Sequence, residues 1–320
     1  MARELPVPPH FDPDRIADIR RIDYERLAQD AARWARRHGL APAADDRVRI
    51  CLLAVDCQNT FCTPGFELFV PGAPDDCRRL CEFVYRNLGS LTEIVVTLDT
   101  HQALQIFHAA FLVDPAGRHP PPYTVVTVED VLAGRWRAAS TGEQEPLVRY
   151  VQALRAGGKY ELTVWPYHAM LGGIGHALVS AVEEAFFFHA VARTARTRFE
   201  PKGSDPLTEH YSALRPEVGD RSTRPALADH LAGFDAVVVA GQAKSHCVAW
   251  TVADLLELEP ALAPRLYLLE DCTSPVVVAG SVDYRDEADA AFRRFADCGA
   301  HVVRSSQPLD RWPGPLAAAT

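Results

Sequence analysis

A doubly wound α/β fold, built on a six-stranded and mainly parallel sheet with helices on both faces, is what the sequence predicts. Two observations carry that expectation. Short unbroken apolar runs such as Ala236 to Ala240 recur along the chain, and stretches with helical spacing separate them. An unbroken run fits a strand buried on both faces, as in a parallel sheet covered by helices. Regular alternation of strands and helices calls for crossover connections, which bring successive strand ends to one rim.

The first 45 residues open with Pro6, Pro8, Pro9 and Pro13 and pass into a helix over residues 23–38, with Leu27, Ala31 and Trp34 on one face. Its arginines are offset by acids, which describes a solvated face rather than a binding patch. Gly39 and Pro42 close it. Residues 47–56 (RVRICLLAVD) form the first strand, followed by a proline- and glycine-marked loop, a helix over 77–88, and a second strand over 92–98 that ends at Asp99. This is a βαβ beginning. Residues 114–158 are expected to be an insertion, with Pro120 to Pro122 near its start and a short strand at 123–128. A connection of that length is usually a lid or a partner surface. Strand character returns at 162–164, and Gly173 introduces a helix over 174–188. Residues 197–214 are expected to be loop with a short helix. The strand 236–240 then ends at Gly241, and a helix from about Ser245 carries Val248, Val252, Leu255 and Leu256 on one side. A strand at 265–269, a helix over 286–296 and a strand at 301–304 complete the chain. The domain reading is an N-terminal helical extension (1–45), one main domain (46–307) and a tail (308–320).

The composition bounds the function. The chain has 320 residues, 48% of them hydrophobic, enough for a large core. A formal charge of -9 argues against nucleic acid or an anionic membrane as partner, since both call for a basic surface. No run approaches a membrane span, and the N-terminus lacks the apolar core of a signal peptide, so a cytoplasmic location is expected. Eight cysteines are too sparse for a disulfide scaffold. Cys51, Cys57, Cys62, Cys77, Cys81, Cys272 and Cys298 read as packing residues.

Cys247 is different because it sits where strand hands over to helix. There the helix dipole and unpaired N–H groups favour thiolate and can hold an oxyanion. The crevice at the carboxyl ends of the strands is where a doubly wound fold places its ligands. Burial as a small apolar residue is the plain alternative. Asp56 and Asp99 close the first two strands and should share that rim, although a strand-end aspartate is more often a turn or cap residue. Asp56 would take the thiol proton. Lys202, one of three lysines in the chain, would keep the carboxylate ionised; its position alone favours a solvated loop charge. A second group is Asp99, His101 and His108, with His168 as a further ligand candidate. Carboxylate and imidazole suit zinc, iron or manganese. The D-x-H pair alone is a weak signal.

Five stretches, VDCQNTFC, TLDTHQALQIFHAAF, VWPYHAM, PKGSDPLTEHYSAL and AGQAKSHCV, together resemble the isochorismatase-like cysteine hydrolases, and most closely their nicotinamidase branch, in family order from about residue 47 to 305. The resemblance implies an isochorismatase-type, Rossmann-like fold and a cysteine amidohydrolase that releases ammonia from a small carboxamide. It implies a catalytic triad of Asp56, Lys202 and Cys247 and metal ligands Asp99, His101 and His168, with His108 at a variable ligand position. The ion would be zinc, or else iron or manganese, with no organic cofactor. Phe61 and Trp165 match residues that flank the substrate ring, the N–H groups of Ala243 and Cys247 match the oxyanion hole, and the peptide between Gln242 and Ala243 is expected to be cis. The chain departs from the family at Gln242, Ser245, Ala169 and Gln102, and its insertion is longer than compact nicotinamidases carry. Those departures admit another small amide, ureide or carbamoyl compound as substrate. A catalytically silent scaffold is the reading from a different class, opposed by retention of both residue sets. A redox role lacks a resolving cysteine near Cys247. A homo-oligomer is expected.

Overall fold

The computed structural model describes residues 4–219 and 225–318. Its centre is one six-stranded parallel sheet. In chain order the strands are β1 (Ile50–Val55), β2 (Leu91–Asp99), β3 (Thr197–Lys202), β4 (Ala236–Gly241), β5 (Leu266–Leu269) and β6 (His301–Val303). Across the sheet they run β6-β5-β4-β1-β2-β3. The chain therefore winds outward from β1 to one edge, returns, and winds outward again from β4. The switch point lies between β1 and β4, which is where such sheets open a crevice at their carboxyl ends.

The main helices are α1 (Tyr24–His38), α2 (Ala73–Arg86), α3 (Gln144–Ala156), α4 (Ser180–Ala192), α5 (Ala249–Leu258) and α6 (Arg285–Asp297). Successive side chains of β1 point to opposite faces. Ile50, Leu52 and Ala54 therefore join a core with residues of α1 to α4, while Cys51, Leu53 and Val55 join a second core with residues of α5 and α6. Both faces of the strand are dry, as its unbroken apolar run requires.

The sixth strand is not the expected one. Residues 162–164 lie outside the central sheet, and Leu162–Thr163 pairs antiparallel with Val125–Val126 instead. The place is taken by β3, within the stretch expected to be loop. Thr197–Lys202 alternates half-exposed and exposed residues and contains Pro201, so it lacks the signature of an interior strand. An edge strand needs only one ladder and tolerates proline. No helix occurs over 203–214, and the helix expected from residue 174 begins at Ser180, after a short turn at Ile174–His176.

Both additions are built into the core. In α1, Asp23 caps the first turn, and Leu27, Ala31 and Trp34 are buried, with α4 as the neighbouring helix. Residues 114–158 fold into short ladders, a small helix (Val128–Leu132) and α3, whose Leu147, Tyr150, Val151 and Leu154 are buried in the same core. All eight cysteines are free, seven of them buried and Cys298 exposed, so Cys298 is not a packing residue. Among the described residues, no helix is long and apolar enough to cross a membrane.

Candidate active site

The site grows out of the switch point. At the ends of β1 and β4, Val55 pairs with Gly241. A Cβ on Gly241 would fall 2.0 Å from the Val55 carbonyl oxygen, and its φ of +113° is open only to glycine. That approach lets the two chains leave the sheet side by side. Asp56 follows β1 with φ 45°, in the left-handed region that aspartate tolerates. On the other side the Gln242–Ala243 peptide is cis, as expected. Gln242 holds this loop, donating from Nε2 to Asp76 Oδ2 at 2.9 Å and accepting from the Ser274 N–H at 3.3 Å. A helical segment begins immediately, and Cys247 lies in its wide first turn, Lys244–Val248, which continues into α5.

Lys202 draws the rim together. It is the last residue of β3, paired in register with Asp99, the last of β2. Its Nζ lies 2.9 Å from Asp56 Oδ2, 2.9 Å from Asp99 Oδ1 and 3.4 Å from Cys247 Sγ. All four residues are buried. Asp56 Oδ1 accepts from Thr97 Oγ1 at 2.5 Å, while Thr97 Oγ1 accepts from the Asp56 N–H at 3.1 Å. Gln58 joins the strand ends, accepting from the Asp99 N–H at 2.8 Å and donating to the Asp99 carbonyl at 2.9 Å.

Burial sets the charges. It would lower the Lys202 ammonium, but Asp56 and Asp99 raise it well above its ordinary value, so it is a fixed cation. Burial would raise Asp99, yet His101 and Lys202 hold it well below the usual carboxylate range. Burial raises Asp56 against the pull of Lys202. It also raises the Cys247 thiol well above its ordinary value, again opposed by Lys202. Desolvation thus opposes the thiolate that Lys202 and the helix terminus favour, which agrees with a thiol whose proton is taken during attack.

Beside the triad, the ligating nitrogens of His101, His108 and His168 lie within 4.8 Å of one another. Each ring presents Nδ1 to a backbone carbonyl: His101 to His168 at 3.3 Å, His108 to Ala103 at 3.3 Å and His168 to Pro166 at 2.8 Å. A carbonyl only accepts, so these contacts assign the hydrogen to Nδ1 and leave Nε2 with a lone pair. Burial keeps His101 and His108 neutral, the latter lowered to about 3. The Nε2 atoms of both are buried without a hydrogen-bond partner. His101 Nε2 nevertheless stands 3.0 Å from Asp99 Oδ1, with His168 Nε2 3.7 Å from Asp99 Oδ2. Lone pairs so opposed repel unless a cation lies between them, and adjacent ligands on tetrahedral zinc bonds of about 2.1 Å are separated by about 3.4 Å. The residues fit a divalent ion. Gly203 keeps the place open: a Cβ there would lie 2.9 Å from both Asp99 Oδ1 and His101 Nε2, on a backbone with φ +84°.

Two aromatic rings pack beside residues of the site. Phe61 meets the His168 ring edge-on at 5.6 Å, and Trp165 meets the His246 ring at 5.5 Å. The structure thus brings the predicted triad and the predicted ligands to one rim, with His108 beside His101 and His168. Ala243 is the residue before the helical segment that carries Cys247, and its N–H has no protein acceptor among the described residues. Sequence reasoning missed Thr97, Gln58, Gly203 and Glu209. Gln58 and Gly203 sit inside motifs already singled out and were within reach. Thr97 and Glu209 lie inside the quoted stretches too, but their residue types carry no signal there without the fold.

No family model matches the chain, and no curated protein matches it. Solved structures do. The nicotinamidase pyrazinamidase of Acinetobacter baumanii matches with 21% identity and a TM-score of 0.54, over 82% of this chain and 98% of its own. The yeast nicotinamidase bound to the inhibitor nicotinaldehyde matches with 20% identity and a TM-score of 0.55, over 80% and 99%. The PnC1 protein of L. infantum, in complex with nicotinate, matches with 20% identity and a TM-score of 0.50, over 82% and 95%. At this identity the likeness is one of fold, and the chain has the α/β fold of these nicotinamidases.

Proposed function

We propose that the chain is an isochorismatase-like cysteine hydrolase of the nicotinamidase type, which converts a small carboxamide to its carboxylic acid and ammonia through a thioester on Cys247. The observation that carries this reading is the convergence of Asp56, Asp99 and Cys247 on the buried ammonium of Lys202. Lys202 favours the ionised form of Asp56 against the burial that raises it. Asp56 takes the thiol proton as the sulfur bonds to the carboxamide carbon, and the N–H groups of Ala243 and Cys247 hold the oxyanion. Collapse breaks the C–N bond, and the same proton leaves with the nitrogen as ammonia. Asp56 then takes a proton from water as its oxygen adds to the thioester carbon. The C–S bond breaks and the proton returns to sulfur.

Asp99, His101 and His168 would hold a divalent ion, with His108 within reach as a further ligand. Zinc suits this set best, and iron or manganese are the alternatives. When bound, the ion supplies a Lewis acid with exchangeable positions beside the substrate. Phe61 and Trp165 would bracket a planar substrate. Because the matching folds include one solved with nicotinaldehyde and one with nicotinate, nicotinamide is the first substrate to try.

A second reading, hydrolysis of another small amide, ureide or carbamoyl compound, is favoured by one observation. Gln242, one of the departures from the family pattern, is tied to Asp76 and Ser274 and so shapes the loop before the nucleophile. A silent scaffold would have no use for a fully assembled buried charge cluster. The free cysteines agree with a cytoplasmic site of action, and exposed Phe199 on edge strand β3 offers a surface for homo-oligomerisation. The test is ammonia release from nicotinamide and a panel of amides and ureides, with and without chelator. Release from any member, with an acyl adduct on Cys247 seen by mass spectrometry for a slow substrate, is the expected result. No release from the whole panel by metal-replete protein would remove the reading.

A further inference from the structure

Glu209 is buried, and the proposed chemistry makes no use of it. Its carboxyl is nonetheless the centre of a network. Trp165 Nε1–H donates to Oε1 at 3.0 Å, the Tyr211 hydroxyl donates to the same oxygen at 2.6 Å, and the Tyr150 hydroxyl donates to Oε2 at 3.1 Å. Tyr150 also accepts from the Glu209 backbone N–H at 3.0 Å, so residue and tyrosine are joined twice. Tyr150 lies on α3, in the segment expected to be an insertion, while Glu209 follows Lys202 by seven residues. Trp165 stands three residues before His168, and its ring faces His246, the residue before Cys247. One carboxyl thus ties the added segment to the stretch that carries Trp165 and His168.

We infer that Glu209 is a positioning residue, which fixes the plane of the Trp165 indole against the substrate and links that ring to the seating of α3 through Tyr150. The inference rests on the proposed amidohydrolase reading for its functional half. A buried acid is costly without partners, and three donors on two oxygens lock both the acid and the groups that face it. Burial, with Glu217 nearby, raises this carboxyl to about 8, which sets it apart from a simple surface acid. Among the described residues, the indole N–H of Trp165 has two acceptors, Glu209 Oε1 and the Tyr211 hydroxyl, each at 3.0 Å. Without the carboxyl, the Tyr211 hydroxyl loses its own acceptor, so the indole is left on an unanchored hydroxyl, while the triad keeps its own contacts.

The test compares Glu209→Gln, which keeps an acceptor oxygen, with Glu209→Ala and Tyr150→Phe. Steady-state kinetics on the best amide of the panel should show KM raised about tenfold or more in Glu209→Ala, with kcat changed less than about threefold. Glu209→Gln should recover most of the loss, and Tyr150→Phe should fall between. A second measurement needs no turnover: the indole N–H resonance of Trp165 in 15N-labelled protein, assigned by its loss in Trp165→Phe. That resonance should be protected from exchange in wild type and in Glu209→Gln, and exposed in Glu209→Ala. Retained protection and an unchanged KM in Glu209→Ala would overturn the inference. If the protein turns over no amide, the hydrolase reading fails, and the resonance still decides whether Glu209 anchors the indole.

Discussion

At the scale of single residues, the site works by balancing buried charge, and Lys202 is the residue on which that balance turns. Its ammonium is the common partner of Asp56 and Asp99. Replacing it by Met would leave two buried carboxylates opposed, so Lys202→Met should lose about 3–5 kcal/mol of stability, measured by urea unfolding. A loss below about 1 kcal/mol would mean that the carboxylates are already neutral. Cys247→Ala should abolish turnover yet leave metal binding intact, and Asp56→Asn should lose activity by at least about a thousandfold, since nucleophile and base act as one unit. Wild-type activity in Cys247→Ala would rule out the thioester. Glu209 makes a prediction about pH. Its carboxyl titrates at about 8 in the folded chain, against an ordinary value near 4.5. A raised folded value means stability present in full below about 4.5 and lost as pH rises through about 8. The stability of wild type minus that of Glu209→Gln should therefore fall between pH 5 and pH 9; a flat difference would show that Glu209 is ionised throughout.

Among the elements, β3 and α3 carry what their sequences concealed. Periodicity finds a strand by the face it buries, and β3 buries little: Phe199 is 51% exposed, and only Lys202 among its six residues is fully buried. The register of β3 on β2, with Lys202 opposite Asp99, is what converts an apparent loop charge into the centre of the site. The α3 helix was equally hidden, because a long connection between motifs suggests a lid. Its Leu147 is fully buried in the larger core. Leu147→Ala should therefore cost about 2–5 kcal/mol, as for an interior leucine. Denaturant midpoints would check this, and a cost under about 0.5 kcal/mol would return the segment to the status of a detachable lid.

For the molecule as a whole, the proposed metal set and the sheet are coupled, because Asp99 ends β2 and the other proposed ligands, His101 and His168, lie in loops. His101 donates its backbone N–H to the carbonyl of Ala169, in the loop of His168, at 3.0 Å, and Asp99 is held by Gln58 after β1. Any ion that binds the folded chain alone stabilises it by mass action. Stripping divalent ions should therefore lower Tm, and zinc should restore it in wild type and fail to do so when Asp99, His101 and His168 are all replaced by Ala. A Tm in the triple variant that still rises with stoichiometric zinc would move the metal elsewhere.

What the sequence by itself determined is the part written in short-range patterns. Unbroken apolar runs marked β1, β4 and β5, helical spacing marked α1 and α6, and the polar residues closing β1 and β2 marked the rim. Motif order then joined Cys247, Lys202 and the histidines into one hypothesis. Only the tertiary structure decided the rest: that the sixth strand is β3, that Lys202 is buried between two carboxylates, that Gly203 leaves space beside His101, and that Glu209 faces Trp165. These depend on contacts between residues far apart in the chain. A solvated lysine and a buried one, or an idle glutamate and an anchoring one, have the same local sequence, and only the partners that folding brings within hydrogen-bonding distance tell them apart.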